Sequence, residues 1–153
     1  MSINTKARAT ISEPKPSWRA CPAISNTKKH IIMPLQGIVY ILTNKNKTTL
    51  YIGVTRNLQR RVAEHKLHIN KGFSSRYNTV NLVYYEIYER LDVAIHREKQ
   101  LKKWHRDWKE TLINEFNPEW KDLSEDIGVD DEYFRSVKAA YESGALVASS
   151  PEV

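Results

Sequence analysis

Hydrophobic and polar positions follow two different periods along this chain, and each change of period marks an element. Gly37-Ile38-Val39-Tyr40-Ile41-Leu42 and Leu50-Tyr51-Ile52-Gly53-Val54-Thr55 are short runs rich in β-branched and aromatic residues, which predicts two strands. Asn44-Lys45-Asn46-Lys47 supplies turn chemistry between them, so the pair is predicted to form an antiparallel hairpin. From about Asn57 to Ile69 the spacing becomes helical, with Leu58, Val62 and Ile69 on the apolar side. Gly72 to Asn78 reads as a loop and Leu82-Val83-Tyr84-Tyr85-Glu86-Ile87-Tyr88 as a third strand. Asp92 is the predicted N-cap of a second helix that extends to about Trp104. A third helix covers about Asp107 to Phe116 and stops before Asn117-Pro118, because a residue ahead of proline avoids the helical region. The order ββαβαα, with helices too short to stand alone, predicts an α/β or α+β fold: a small three-stranded antiparallel sheet flanked by helices.

The flanking segments differ in composition. Residues 1–35 are rich in Ser, Thr, Lys and Pro without sustained periodicity, and are expected to be a disordered basic leader. That leader reads equally as a nucleic-acid arm or as an upstream extension, with Met33 the true start. Residues 36–123 form the expected domain. Residues 124–153 form an acidic tail, in which residues 130–143 are predicted to be helical with Tyr133, Phe134, Val137 and Tyr141 on one side. That side suits packing on the core more readily than a dedicated partner site.

Charge sharpens this division. Residues 34–123 carry 16 basic and 10 acidic side chains, so the central block is basic independently of the leader, whereas residues 124–153 carry 2 and 7. A basic block fits a polyanionic partner, and also an ordinary basic surface. Cys21 is the only cysteine, which excludes an intramolecular disulfide and a cysteine-based metal site and fits a reducing, cytoplasmic compartment. No apolar run approaches the roughly 20 residues of a membrane span, and the N-terminus lacks a hydrophobic signal core.

Polar groups interrupt the apolar faces at a few positions. On the first helix Arg61 lies three residues after Leu58 and His65 three after Val62, so both border the apolar stripe and project toward the sheet edge. Such residues serve as a packing histidine with an ion-pair partner, or as chemistry. On the second helix Glu98 falls between Ala94 and Leu101, on the buried side. An unpaired carboxylate there costs several kcal/mol, so it needs a salt bridge, from Arg61 or Lys102, or a divalent cation. Tyr40 and Tyr51 stand on strands joined by a short hairpin, which can bring two phenols side by side. Gly53 shares the face of Tyr51 and leaves room for close approach.

Taken in order, two tyrosine strands, a turn, a glycine and a helix with Arg and His four apart, the chain resembles the GIY-YIG nuclease superfamily over about residues 36–123. The similarity is closest to its small bacterial single-domain members, related to the nuclease domain of the nucleotide-excision-repair excinuclease. Arg97-Glu98-Lys99-Gln100-Leu101-Lys102-Lys103-Trp104 and Asn117-Pro118-Glu119-Trp120-Lys121-Asp122-Leu123 resemble that subfamily in particular. The first motif carries one additional residue between Gly37 and Tyr40 and keeps the tyrosine in register.

The resemblance implies one active site of Tyr40, Tyr51, Arg61, His65 and Glu98, with Asn117 as a further candidate. It implies a metal-dependent endonuclease acting on nucleic acid, DNA ahead of RNA, with Glu98 holding Mg²⁺ or Mn²⁺. Tyr40 would act as general base on water, relaying a proton toward His65, Arg61 would clamp the scissile phosphate, and Tyr51 would orient water or phosphate; the two tyrosine roles are open to reversal. Arg56, Arg60, Lys66, Lys71, Arg76, Lys102 and Lys103 are candidate phosphate contacts, with Lys99 and Arg106 beside them. No dedicated sequence-reading module is visible, so structure- or damage-directed cleavage is the expectation, with repair as the setting. A non-catalytic nucleic-acid binding module and a protein-interaction module are the alternatives.

Overall fold

The computed structural model of the protein describes residues 36–147. The expected basic leader, the alternative start at Met33 and Cys21 lie outside them. Three strands, β1 (Gly37–Thr43), β2 (Leu50–Thr55) and β3 (Asn81–Tyr88), form an antiparallel sheet in the order β2-β1-β3. Five helices accompany them: α1 (Leu58–Lys66), α2 (Phe73–Arg76), α3 (Leu91–Lys103), α4 (Arg106–Phe116) and α5 (Asp131–Glu142). The α+β class and the three-stranded antiparallel sheet agree with the sequence reading.

β1 is central because it is the strand that both faces can bury: Val39, Tyr40, Ile41 and Leu42 are each wholly inaccessible. Alternation divides them. Val39 and Ile41, with Ile52 and Val54 of β2, pack against Ala94 and Leu101 of α3 and against Leu112 and Ile113 of α4. Tyr40 and Leu42, with Leu82, pack on the opposite face against Leu58 and Val62 of α1. Gly37 permits the α3 contact, since a Cβ there would stand 2.6 Å from the Ala94 Cβ and 2.8 Å from the Leu91 Cα.

Helix boundaries differ from expectation at three places. Asn57 caps α1, its side chain accepting from the Arg60 amide at 3.0 Å, but α1 ends at Lys66 and not near Ile69. There His68 adopts a left-handed φ of 52°, and the Ile69 amide closes back onto the Glu64 carbonyl at 3.1 Å, a six-to-one bond that stops the helix. The segment read as a loop contains the one-turn α2, tied down by the Thr79 amide donating to the Ser74 carbonyl at 3.0 Å. α3 begins at Leu91 with Arg90 in the cap position. Asp92 lies in its first turn, ion-paired to Arg90.

The segment beyond Leu123 packs against α1. Val129 and Val137 pack on Ala63, with Tyr133, Phe134 and Tyr141 alongside, and Gln59 donates to the Ile127 carbonyl at 2.6 Å. Among the described residues no helix is long and apolar enough to cross a membrane.

Candidate active site

The hairpin and α1 assemble one cluster. Tyr40 and Tyr51 stand on adjacent strands with ring centroids 6.2 Å apart, and the His65 ring lies 5.8 Å from Tyr40 and 5.0 Å from Tyr51. Opposite Tyr40 in register is Gly53. The Tyr40 phenol occupies the space a side chain would take there, since a Cβ on Gly53 would lie 2.5 Å from the hydroxyl and 2.6 Å from the ring carbon bearing it. Glycine is what lets the phenol lie flat across β2.

A directed chain of hydrogen bonds runs through that phenol. Arg61 Nε donates to the Tyr40 oxygen at 3.2 Å, the same oxygen is 3.0 Å from His65 Nε2, and His65 Nδ1 is 3.0 Å from the Ser74 hydroxyl on α2. Burial, helped by the nearby Arg61 charge, lowers the His65 pKa from 6.5 to about 4, so the ring is neutral at neutral pH. With the phenol oxygen already accepting from Arg61, its proton points to Nε2, and Nδ1–H is left to donate to Ser74. The geometry is that of a phenol held between a cation and a base.

Glu64 holds the cation in place. Its carboxylate is fully buried and receives Arg61 Nη1 at 3.0 Å, Arg60 Nε at 2.9 Å, Asn70 at 3.3 Å and the Tyr141 hydroxyl of α5 at 2.5 Å. Sequence reading passes over Glu64, because an acid at i+4 from Arg60 has the spacing of a surface helix pair. Its signal is the second arginine at i+3 beside a histidine, which makes the acid part of the inward stripe.

Glu98 arrives from the other side. α3 covers the Val39 and Ile41 face, so the helix that carries Glu98 and the side chain of Tyr40 lie on opposite faces of the sheet, and the Glu98 carboxylate bonds to Lys102 and not to the tyrosine cluster. The two faces meet at the outer edge of β2. A cavity of about 250 Å³ opens there, lined by Tyr51 and Phe73 from one side and by Lys102, the partner of Glu98, and Lys109 from the other, with Leu50 and Ile52 between. Glu98 is 6 % exposed while Lys102 is half-exposed, so the lysine can swing away and leave a carboxylate that still needs a cation. That donor suits Mg²⁺, which takes one or two carboxylates and fills its remaining positions with water and phosphate oxygen. Among the described residues no group of three or more His, Cys, Asp or Glu forms an all-protein metal site.

Asn117 is not brought to the cluster. It caps α4, with its amide nitrogen on the carbonyls of Val83 at 3.2 Å and Lys121 at 2.8 Å and its oxygen on the Lys121 amide at 3.1 Å. Val83 is the extra residue of a β-bulge, and β3 is the edge remote from β2. Both polar atoms of the Asn117 side chain are engaged by backbone, which is the work of a structural clamp.

Several phosphate-contact candidates are also engaged. Arg60 pairs with Glu64, Lys66 with Asp122 at 2.8 Å, and Lys102 with Glu98. Arg56, Lys71, Arg76 and Lys103 are exposed and pair with no acid among the described residues.

Residues 36–111 match the family model described as the GIY-YIG catalytic domain. UPF0213 proteins are similar over about half of this chain: one from Natronomonas pharaonis is 36% identical over 75 residues, 49% of this chain and 87% of the relative. Another from Clostridium perfringens is 39% identical over 80 residues, 50% of this chain and 81% of the relative. A third from Syntrophus aciditrophicus is 40% identical over 86 residues, 53% and 92%. The chain belongs to the GIY-YIG superfamily. A solution NMR structure of a UPF0213 protein from Bacillus halodurans is 22% identical, covering 59% of this chain and 95% of that one, with a TM-score of 0.39. In this GIY-YIG protein the matched stretch contains Tyr40, Tyr51, Arg61, His65 and Glu98, and ends before α5, from which Tyr141 reaches Glu64.

Proposed function

We propose that the protein is a metal-dependent endonuclease that hydrolyses phosphodiester bonds, DNA ahead of RNA, selecting substrates by shape or damage and not by sequence. The observation that carries this reading is the chain from Arg61 through the Tyr40 phenol to neutral His65. A free phenol has a pKa of about 10 and is a poor base at neutral pH unless a cation favours the phenolate. Arg61, fixed by Glu64, supplies that cation, and its bond to the Tyr40 oxygen and its 4 % exposure support a role beside the phenol more than the phosphate clamp expected from the resemblance.

In this mechanism the phenol oxygen takes a proton from the attacking water as the Tyr40 proton passes to His65, so the tyrosine ends neutral, the positive charge comes to rest on the imidazolium, and Arg61 stabilises the negative charge that develops on the phenol oxygen in passing. Tyr40 is wholly buried, and the water it activates therefore enters together with the phosphate. Tyr51 and Lys102 border the cavity and orient the phosphate at the β2 edge. Glu98 would hold a Mg²⁺ or Mn²⁺ ion, which when bound supplies Lewis-acid stabilisation of charge on the phosphate and leaving oxygens. The exposed Arg56, Lys71, Arg76 and Lys103 bind flanking phosphates without sequence preference.

One observation favours a second reading: Tyr51 lines the cavity while Tyr40 does not. In that reading Tyr51 is the base and Tyr40 positions His65. Purified protein is incubated with branched, single-stranded and duplex DNA and with RNA, in Mg²⁺, Mn²⁺ or chelator. The proposal expects metal-dependent cleavage, about 10²–10⁴-fold slower in Tyr40→Phe and less affected in Tyr51→Phe. The reverse ranking selects the second reading, and binding without cleavage under any metal leaves a binding module.

A further inference from the structure

Beside the cavity stand two aromatic rings, Phe73 and Tyr77, that the catalytic reading does not use. Phe73 stacks on Tyr51 with centroids 6.5 Å apart and planes 25° from parallel, and Tyr77 follows at 4.4 Å and 42°. Phe73 is 52% exposed and Tyr77 44%, the first also lining the cavity. Arg76 already lies over the Tyr77 ring, 5.9 Å from its centroid. Large aromatics are left this open at a cost in burial, so their exposure calls for an occupant.

The support beneath them is rigid. Buried Ser74, between Phe73 and the rest of α2, takes the His65 ring at 3.0 Å on its hydroxyl and the Thr79 amide on its carbonyl. Phe73 is therefore held at a fixed offset from the His65–Tyr40 pair, and the exposed cations Lys71 and Arg76 flank it. An apolar π-face beside a phosphate-sized cavity with a cationic rim matches a nucleotide whose base has left its stack.

We propose that Phe73, backed by Tyr51 and Tyr77, is a stacking subsite for the nucleobase adjoining the phosphate held in the cavity. Resting on the nuclease reading, this makes Phe73 a specificity-determining residue: a flanking base that cannot unstack cannot seat its phosphate.

The test measures equilibrium binding in chelator, where no cleavage intervenes, using a thymidine oligonucleotide and an abasic oligonucleotide of equal length and charge. Wild type is expected to prefer the base-bearing strand by roughly ten- to a hundredfold. Phe73→Leu loses that preference, keeps its affinity for the abasic strand and its circular dichroism, and Phe73→Trp restores the preference with tryptophan quenching on binding. Equal wild-type affinity for the two strands, or an undiminished preference in Phe73→Leu, overturns the subsite. Base-dependent quenching in a protein that cuts nothing would keep the subsite and discard the hydrolase, while cleavage without base preference would do the reverse.

Discussion

At the residue scale the site is defined by what is packed against one phenol. Gly53 shows it most sharply, because its missing side chain is the space that the Tyr40 hydroxyl fills. Gly53→Ala is expected to destabilise the fold by about 1–3 kcal/mol and to displace the phenol from Arg61 and His65, checked by denaturant unfolding and by tyrosine absorbance against pH. His65 gives the pH prediction. Its folded pKa of about 4 lies below the ordinary 6.5, so the unfolded chain binds the proton first as pH falls. Stability is complete above about pH 6.5 and declines between there and pH 4, by roughly 3 kcal/mol in all. In His65→Gln that part of the stability profile should flatten. An unchanged slope would show that the imidazole is not held neutral. The phenols, the Arg–His spacing and the buried Glu98 are legible in the sequence because each breaks an apolar face. Glu64 is not, since its spacing from Arg60 is that of any solvated helix pair.

At the element scale, strands and caps are readable where local chemistry decides them, and ends are not where a single backbone angle does. Nothing in Lys66-Leu67-His68-Ile69 announces that His68 will turn left-handed, and apolar spacing carries the predicted helix past it. A non-glycine residue at that position is strained, so His68→Gly is expected to raise stability by about 1 kcal/mol in denaturant unfolding. The brace between β3 and α3 is equally hidden. Tyr84, Tyr88 and Arg97 all bond to Glu86; burial alone would raise its pKa, and these three partners bring it below the usual carboxylate value. That arrangement gives a duty to two tyrosines that strand propensity alone would explain. The place of Asn117, away from the tyrosine cluster, is hidden for a related reason, because sequence order does not show that a β-bulge leaves the Val83 carbonyl for it to clamp.

At the scale of the described domain, the sheet separates the phenol chain from the buried acid, and at the β2 edge their neighbours Tyr51 and Lys102 line one cavity. The acidic segment takes part as well. Tyr141 of α5 bonds Glu64, and the Arg60 guanidinium donates to the Val147 carbonyl at 2.7 Å, so residues beyond the family match brace the arginine pair of α1. Tyr141→Phe is expected to lower stability by about 2 kcal/mol, whereas Tyr133→Phe, which loses no hydroxyl bond, should shift it by less than about 0.5 kcal/mol. Equal effects would make α5 a cover held by apolar contact alone.

The central claim is that the Arg61–Tyr40–His65 chain and the Glu98 carboxylate, though on opposite faces, serve one phosphate at the β2 edge. Single-turnover cleavage of a branched DNA in Mg²⁺, with binding measured in parallel, tests it most directly. The account predicts that wild type cuts, and that Tyr40→Phe and Glu98→Gln each bind as wild type does but lose at least about a hundredfold in rate. Full cleavage by Glu98→Gln, in a preparation that chelator silences, would contradict it.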